Sequence, residues 1–450
     1  MQKQARKSHP LVHFVGIGGI GMSALARWFL AQNWAVSGSD IARSSITRNL
    51  KEVGSRVKIG HKKANLSPKT ALLIYSQAIP RSNPELQAGK ELGVPALAYP
   101  EAIGLLTTMY TTVAVAGAHG KSTSTAILAL ILEEAGFDPT VIVGTNLKEF
   151  GNTNFRRGKS KYLVLEADEW KASFLSYSPA AILVTNVDKE HLDFYKNIGG
   201  VKNAFLKFIG RVRRKGIAVL NKDSDLLASL QGRIARIARK NGLRIFWYSL
   251  SSKQSSLVKK TIRVPGKHNV SNALGARTLA RALGVPEKAI RRAISKFRGS
   301  WRRMEYRGKF RGAMIFDDYA HHPTEIRATL QAFREKYPGK KILCVFQPHQ
   351  AKRLAALFGE FRKAFDGADE TFILPVYEVA GRDSVSARFG SRELVRAIQA
   401  REPKKLLFYL EDPKNLKRAI LSLSSPLPRK IIVMMGAGDI VNRTPLLVRR

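Results

Sequence analysis

A single cysteine, Cys344, stands among 450 residues. That excludes an internal disulfide framework and any multi-cysteine metal site, and it fits a reducing compartment. Long apolar runs are missing too. The longest candidate, Ala126 to Leu132, falls far short of the roughly 18–20 residues that cross a bilayer, so no membrane span is expected. Internal repeats and low-complexity segments are absent. Acidic residues are scarce, with 34 Asp and Glu against 76 Lys and Arg, a formal net charge of +42. The excess is spread as +9 over residues 1–110, +19 over 111–297 and +14 over 298–450, so no single tail or module owns it. No zinc-finger spacing or aromatic RNA-binding signature accompanies the charge. The expectation is a generally cationic surface that attracts phosphate-rich substrates, not a nucleic-acid site.

What is present is ordinary for a soluble globular protein: 44% hydrophobic and 24% charged residues, in a chain long enough for two to four domains. The basic start (Lys3, Arg6, Lys7) mimics a secretory signal. The apolar stretch after it, however, carries Gly16, Gly18, Gly19 and Gly21, and reads as a strand entering a phosphate loop. A cytoplasmic protein is expected. Short β-branched runs alternate with amphipathic helix-length stretches, the pattern of parallel α/β sheets. Strands are predicted at Leu11–Val15, Ala35–Ser37, Ala71–Tyr75, Thr112–Ala116, Tyr162–Leu165, Ala181–Thr185, Met314–Phe316, Lys341–Phe346, Thr371–Leu374 and Ile431–Met435. Helices are predicted at Gly21–Ala31, Lys121–Ala135 and Asn269–Leu283, the last two closed by Gly136 and Gly284. Breaks near 108–111 and 297–301 divide the chain into three α/β domains: a Rossmann-like domain at 1–109, a P-loop ATPase-like domain at 110–298 and a second Rossmann-like domain at 299–450.

Three motifs carry chemistry. Gly16-Ile17-Gly18-Gly19-Ile20-Gly21 lies between strand and helix, with Asp40 about twenty residues on at the end of the next strand. Its glycines let a diphosphate approach a helix N-terminus, in a nicotinamide dinucleotide or in any nucleoside diphosphate. Gly117-Ala118-His119-Gly120-Lys121-Ser122-Thr123 is a shortened phosphate loop, with Val115 where the strict pattern has its first glycine. There Lys121 would bridge β- and γ-phosphates and the Ser122 hydroxyl would reach Mg²⁺. Glu166, Asp168 and Glu169 follow a strand at its C-terminal end, where a hard cation needs oxygen ligands; spacing alone leaves open which carboxylate binds. His191 follows another strand and its turn, and by position is as well read as structural as facing that cavity.

Two phosphate loops in one chain point to a nucleotide-bearing substrate and ATP. The sequence resembles the Mur ligase family over essentially its whole length. The likeness rests on His13 to Ser23, Ser37 to Asp40, Gly117 to Thr123, Glu166 to Glu169 with Ala172 to Leu175, and Thr185-Asn186. It continues through Gly266 to Ala273, Arg302-Arg303, Asp317 to Glu325, Phe346 to His349 and Gly436 to Asp439. Within the family it is similar to members that join L-alanine to the carboxylate of UDP-N-acetylmuramate through an acyl phosphate. The relative to exclude attaches recycled murein peptides to the same sugar nucleotide.

The resemblance implies ATP and Mg²⁺ as cofactors, and a monomer or homodimer without membrane or nucleic-acid partner. It implies that Gly18, Gly19, Ile20 and Gly21 lie under the UDP diphosphate with Ser39 and Asp40 nearby. Gly117 to Thr123 would hold the ATP phosphates, with Lys121 central. Ser122, Glu166 and His191 match the metal positions. Asn269 and Asn272, three apart on one helix face, match the adenine-contacting asparagines, with His268 beside them. Arg303 and Asp318 match positions through which the third domain closes on ATP. Lys121, Glu166, His191 and Arg303 would carry catalysis. Tyr319, His321, His349 and Arg353 would line the amino-acid side.

Three positions depart from the family pattern. Trp170-Lys171 stands where a small or aromatic residue precedes an aspartate, Gln350 where an arginine is typical, and Ser122 where threonine is commoner. Two other classes fit single features: a nicotinamide-dependent dehydrogenase on the first glycine loop and Asp40, and a nucleic-acid-binding ATPase on the charge.

Overall fold

A computed structural model describes residues 9–378, 389–423 and 426–448; the basic start with Lys3, Arg6 and Lys7 lies outside them. The chain forms two compact units. One holds the chain up to Asp188 with Lys202–Ser249 and Gly275–Ala293; the other holds Lys189–Val201, Leu250–Leu274 and the chain from Ile294.

Two sheets lie in the first unit. The first comprises β1 (Leu11–Val15), β2 (Ala35–Asp40), β3 (Arg56–Ile59), β4 (Thr70–Tyr75) and β5 (Ala96–Ala98). It is all parallel in the order β3-β2-β1-β4-β5. The strand order reverses between β1 and β4, opening a crevice at their carboxyl ends. The second sheet comprises β6 (Thr111–Ala116), β7 (Thr140–Leu147), β8 (Thr153–Arg156), β9 (Tyr162–Glu166), β10 (Ala181–Val184), β11 (Ile217–Asn221) and β12 (Arg244–Tyr248). Its order is β12-β11-β10-β6-β9-β7-β8, with β8 alone antiparallel. The central strands β10 and, from Val113 on, β6 read as unbroken apolar runs because both faces are covered. The helix Lys121–Glu134 buries Ala126, Ile127, Leu128, Ala129, Ile131 and Leu132. It packs against β6, β7 and β9 and is apolar on most of its circumference.

The second unit holds the third sheet: β13 (Glu305–Phe310), β14 (Ala313–Asp318), β15 (Lys341–Phe346), β16 (Glu370–Ile373), β17 (Leu406–Tyr409) and β18 (Lys430–Met435). The order is β13-β14-β18-β15-β16-β17, with β13 antiparallel at the edge. Alternation along β15 and β18 sends Cys344, Phe346, Val433 and Met435 into one core, and Leu343, Val345, Ile432 and Met434 into the other. Each predicted strand is present. Of the eight additional strands, β3, β5, β8, β12, β13 and β17 lie at sheet edges, where exposed residues dilute the apolar signal, whereas β7 and the buried β11 lie inside the second sheet. Among the described residues no helix is long and apolar enough to cross a membrane.

Candidate active site

At the first glycine loop the backbone turns left-handed at Gly16 (φ +84°). The amides of Gly16 and Ile17 both donate to Ser39 O, at 2.8 and 2.9 Å. Gly18 N–H donates to Asp40 Oδ2 at 2.8 Å, and Ala42 N–H to Oδ1 at 3.2 Å. Asp40 therefore shapes the loop, and a Cβ on Gly18 would sit 2.8 Å from its carboxylate. The helix Ile20–Ala31 begins with no side-chain cap and no acidic residue in its first turn, leaving the amides of Ile20, Gly21 and Met22 for an anion. Gly21 is required by Tyr99, whose hydroxyl would meet a Cβ at 2.6 Å. Asn154 of β8 donates to Ile20 O at 2.5 Å, fixing this helix start against the second sheet.

Below Ser39 lies a buried polar knot. Glu85 accepts from Ser39 Oγ (2.5 Å), His13 Nε2 (3.2 Å), Asn65 Nδ2 (2.6 Å) and Lys62 N (3.1 Å). Burial pushes its carboxyl up, but the hydrogen bonds from His13, Ser39 and Asn65 outweigh it and hold the pKa down at about 2.

The second loop follows β6. Register pairs Val115 with Glu166 and Ala116 with Val184, so the ends of β9 and β10 flank the loop. Gly117 (φ +140°) and Gly120 (φ +80°) make its turns. Thr185 Oγ1 donates to His119 O at 2.6 Å; Asn186 Nδ2 reaches the same oxygen at 2.9 Å, and its Oδ1 accepts from His119 N at 2.9 Å. The loop is thus braced from β10, leaving the uncapped first turn of the helix at Lys121, Ser122 and Thr123 as its free donors.

Lys121 Nζ donates to Gly117 O (2.7 Å) and Glu169 Oε2 (2.8 Å). Burial would lower its pKa, but Glu169, Asp168 and Glu166 outweigh that and raise it above the ordinary lysine value, so the ammonium stays charged. Glu166 accepts from Ser122 Oγ (3.0 Å) and Gly144 N (2.7 Å), and burial raises its pKa. Gly144 has no alternative, since a Cβ there would meet the Glu166 carboxylate at 2.7 Å. The three carboxylates differ in their partners: Glu166 faces the Ser122 hydroxyl, Glu169 the Lys121 ammonium, and Asp168 is exposed and accepts from Trp170 N. A hydroxyl and a partly buried carboxylate 3.0 Å apart, with that carboxyl destabilised as an anion, are hard oxygen donors suited to Mg²⁺.

The remaining candidates lie in the second unit. His191, left-handed at φ +54°, heads a short helix and lines a cavity of about 530 Å³ with Glu190, Gln350 and Arg353. Arg353 pairs with Glu190 at 3.2 Å, both side chains more than nine-tenths buried, and donates to His349 O at 3.0 Å. His349 stacks on Tyr377 at 5.5 Å. His321 Nδ1 lies 2.9 Å from Tyr319 O, so that nitrogen carries the proton, and burial drops the ring's pKa to about 4. Arg303 lies over the Tyr319 ring at 5.2 Å and 3.5 Å from Glu325. Asp318 is committed to protein donors: Met304 N at 2.8 Å, Ala320 N at 2.9 Å and Thr329 Oγ1 at 3.2 Å. Asn269 and Asn272 are buried on the helix Lys267–Ala282, with Asn269 Nδ2 donating to Pro265 O. Burial, then Arg303, lowers His268 to about 4. Sequence reasoning assigned no role to Glu190, Tyr99, Gly144 or the bracing pair Thr185-Asn186.

Known proteins resemble this chain over nearly its whole length. The profile of the Mur ligase family catalytic domain matches residues 11–111, that of the Mur ligase middle domain 115–280, and that of the Mur ligase glutamate ligase domain 302–438. A UDP-N-acetylmuramate–L-alanine ligase of Desulforapulum autotrophicum is 39% identical over 448 residues, covering 96% of each chain. One of Aquifex aeolicus is 39% identical over 450 residues, covering 95% of each. Among solved structures, a UDP-N-acetylmuramate–alanine ligase of Thermotoga maritima superposes with a TM-score of 0.79 at 26% identity over 98% of both chains. A murein peptide ligase of Psychrobacter arcticus shares the fold, with a TM-score of 0.72 at 22% identity over 98% of both. On full-length relatives and three matching domains, the chain belongs to the Mur ligase family.

Proposed function

We propose that this protein is an ATP-dependent, ADP-forming ligase that joins L-alanine to the carboxylate of UDP-N-acetylmuramate, a step of peptidoglycan precursor synthesis in the cytoplasm. The observation that carries the reading is the pair of uncapped helix starts, each behind a glycine loop, in a chain whose full-length relatives are UDP-N-acetylmuramate–L-alanine ligases. The buried free thiol of Cys344 fits a reducing location.

A carboxylate does not acylate an amine in neutral water. In the family's chemistry the γ-phosphoryl of ATP moves to the muramoyl carboxylate, and the amine of alanine displaces phosphate from the acyl phosphate. Residues of this chain divide the work. Ile20, Gly21 and Met22 amides receive the UDP diphosphate, on a loop that Ser39 and Asp40 shape. The amides of Lys121, Ser122 and Thr123, with the Lys121 ammonium, receive the ATP phosphates and neutralise charge that grows in transfer. His268, Asn269 and Asn272 take the adenine side, and Arg303 adds a cation held by Tyr319. Ser122 and Glu166 would hold Mg²⁺, which when bound supplies charge neutralisation and orients the phosphates; His191 matches the family's further metal position. Tyr319, His321, His349 and Arg353 form the amino-acid side.

Phosphate release with UDP-N-acetylmuramate and each small amino acid in turn tests the reading. Release with L-alanine and formation of the alanyl product are expected. Release only with a murein tripeptide would assign the chain to peptide recycling, and no release with either would refute the ligase reading.

A further inference from the structure

The turn after Glu169 contains two consecutive non-glycine residues in left-handed backbone, Lys171 (φ 48°, ψ 31°) and Ala172 (φ 58°, ψ 26°). Such strain persists only where surrounding structure demands it, and it marks candidate functional positions. Here it folds the exposed Lys171 back so that Nζ lies 4.8 Å from the Trp170 ring centroid and donates to Gln77 O at 3.0 Å. Two residues on, Ser173 Oγ lies 2.6 Å from Trp170 O, which takes its proton, and 2.8 Å from the end of the Gln77 side-chain amide, from which it can accept. Gln77 is thus gripped at its main chain and at its side chain by the same turn.

Gln77 stands just past the end of β4, on the wall of the crevice where the strand order of the first sheet reverses. Its neighbours pack on the first glycine loop. Ser76 N donates to Val15 O at 3.0 Å, and a Cβ on Gly16 would lie 3.2 Å from Ser76 and 3.5 Å from Ile79. The other end of the grip is continuous with Glu166 and Glu169, which face Ser122 and Lys121 of the phosphate loop.

We propose that Lys171 is a positioning residue for the sugar nucleotide: by clasping Gln77 it fixes the wall of the first glycine-loop crevice against the acidic turn that serves the second. The assignment of a sugar nucleotide to that crevice rests on the function proposed above. The juxtaposition of the clasp itself does not.

Lys171→Met removes the donor and keeps the stem; Lys171→Arg keeps a donor; Ser173→Ala removes the second grip. The loss of one such hydrogen bond predicts a roughly 5–10-fold rise in KM for UDP-N-acetylmuramate in Lys171→Met, with KM for ATP and for L-alanine within about twofold and largely restored by Lys171→Arg. Ser173→Ala should shift the same KM in the same direction. Amide hydrogen exchange at Ala78 and Ile79, read on the full chain without substrate, should quicken by about as much in Lys171→Met. An unchanged KM for the sugar nucleotide, a parallel rise in all three KM values, or unchanged exchange at 78–79 overturns the proposal. If the unsubstituted enzyme does not turn over UDP-N-acetylmuramate, the functional reading fails, while the exchange measurement still decides whether the clasp exists.

Discussion

The Thr185 hydroxyl fills the space that a Cβ on Gly117 would enter, at a glycine whose φ of +140° already disfavours any other residue. The two positions are one device: the strand end of β10 braces the phosphate loop at the only residue small enough to admit it. Gly117→Ala should displace the loop and lower kcat/KM for ATP by roughly two orders of magnitude, as misplacement of a reacting group by about 1 Å does. Thr185→Val, which removes the bond to His119 O, should cost about 1 kcal/mol of stability and a smaller loss of activity. Steady-state kinetics at varied ATP, with thermal melts, check both. A Gly117→Ala enzyme with unchanged KM and kcat would separate the brace from catalysis.

Lys121 and Glu169 make a second coupled pair, with Glu169 almost wholly buried. Lys121→Met should abolish ATP-dependent product formation. It should also lower stability by about 3–5 kcal/mol by stranding a buried carboxylate. The double variant Lys121→Met/Glu169→Met should regain much of the melting temperature without regaining activity. Because the folded lysine has a raised pKa, the pair's contribution is fully present below the ordinary lysine value and is lost only as pH rises through the higher one. Stability differences between variant and parent should therefore be flat from pH 6 to 9.

These braces explain what could and could not be read beforehand. Glycine loops between a strand and a helix are local patterns, so both loops with their uncapped helix starts and the order of the main elements were legible. The eight-residue strand β7 was not anticipated, because Gly144 in its middle reads as a break. That glycine is there for Glu166, on a different strand. Thr185 belongs to the family likeness without a role readable from the sequence, since nothing local says that its hydroxyl meets a carbonyl 66 residues upstream. Glu190, between Lys189 and His191, reads as a solvated charge. Its burial against Arg353, 163 residues away, is a tertiary fact.

The polar knot at Glu85 predicts an acid limb of stability. A carboxyl with an ordinary value of 4.5 held at about 2 contributes stability that is present above the unfolded value and is lost as pH falls through the folded one. The difference corresponds to on the order of 3 kcal/mol. Glu85→Gln should be less stable than the parent at pH 7, and the gap should close between about pH 4.5 and pH 2. Urea melts across that range measure it; a gap independent of pH would mean that the ionised carboxylate is not what holds His13, Ser39 and Asn65 together.

Glu190 and Arg353 bear on the choice of amino acid. Arg353 has one guanidinium nitrogen on Glu190 Oε2 and another on His349, which fixes the plane of the group at the wall of the cavity that Gln350 also lines. Gln350 sits at φ +69°, a backbone state that a side chain adopts at a cost, so its orientation too is held rather than free. On the proposed assignment Arg353 is the cation for the substrate carboxylate, and Glu190 aligns it. Glu190→Gln keeps a hydrogen-bond acceptor but removes the charge, and should raise KM for L-alanine about 5–10-fold with KM for ATP little changed. Glu190→Ala strands a buried arginine and should in addition lower the melting temperature by several degrees. Gln350→Arg adds a second cation beside the first and should lower KM for the amino acid. Kinetics at varied L-alanine, with ATP and sugar nucleotide saturating, compare the three. If Gln350→Arg leaves that KM where it was, position 350 does not face the carboxylate; if Glu190→Gln does so as well, the alanine lies elsewhere than at Arg353.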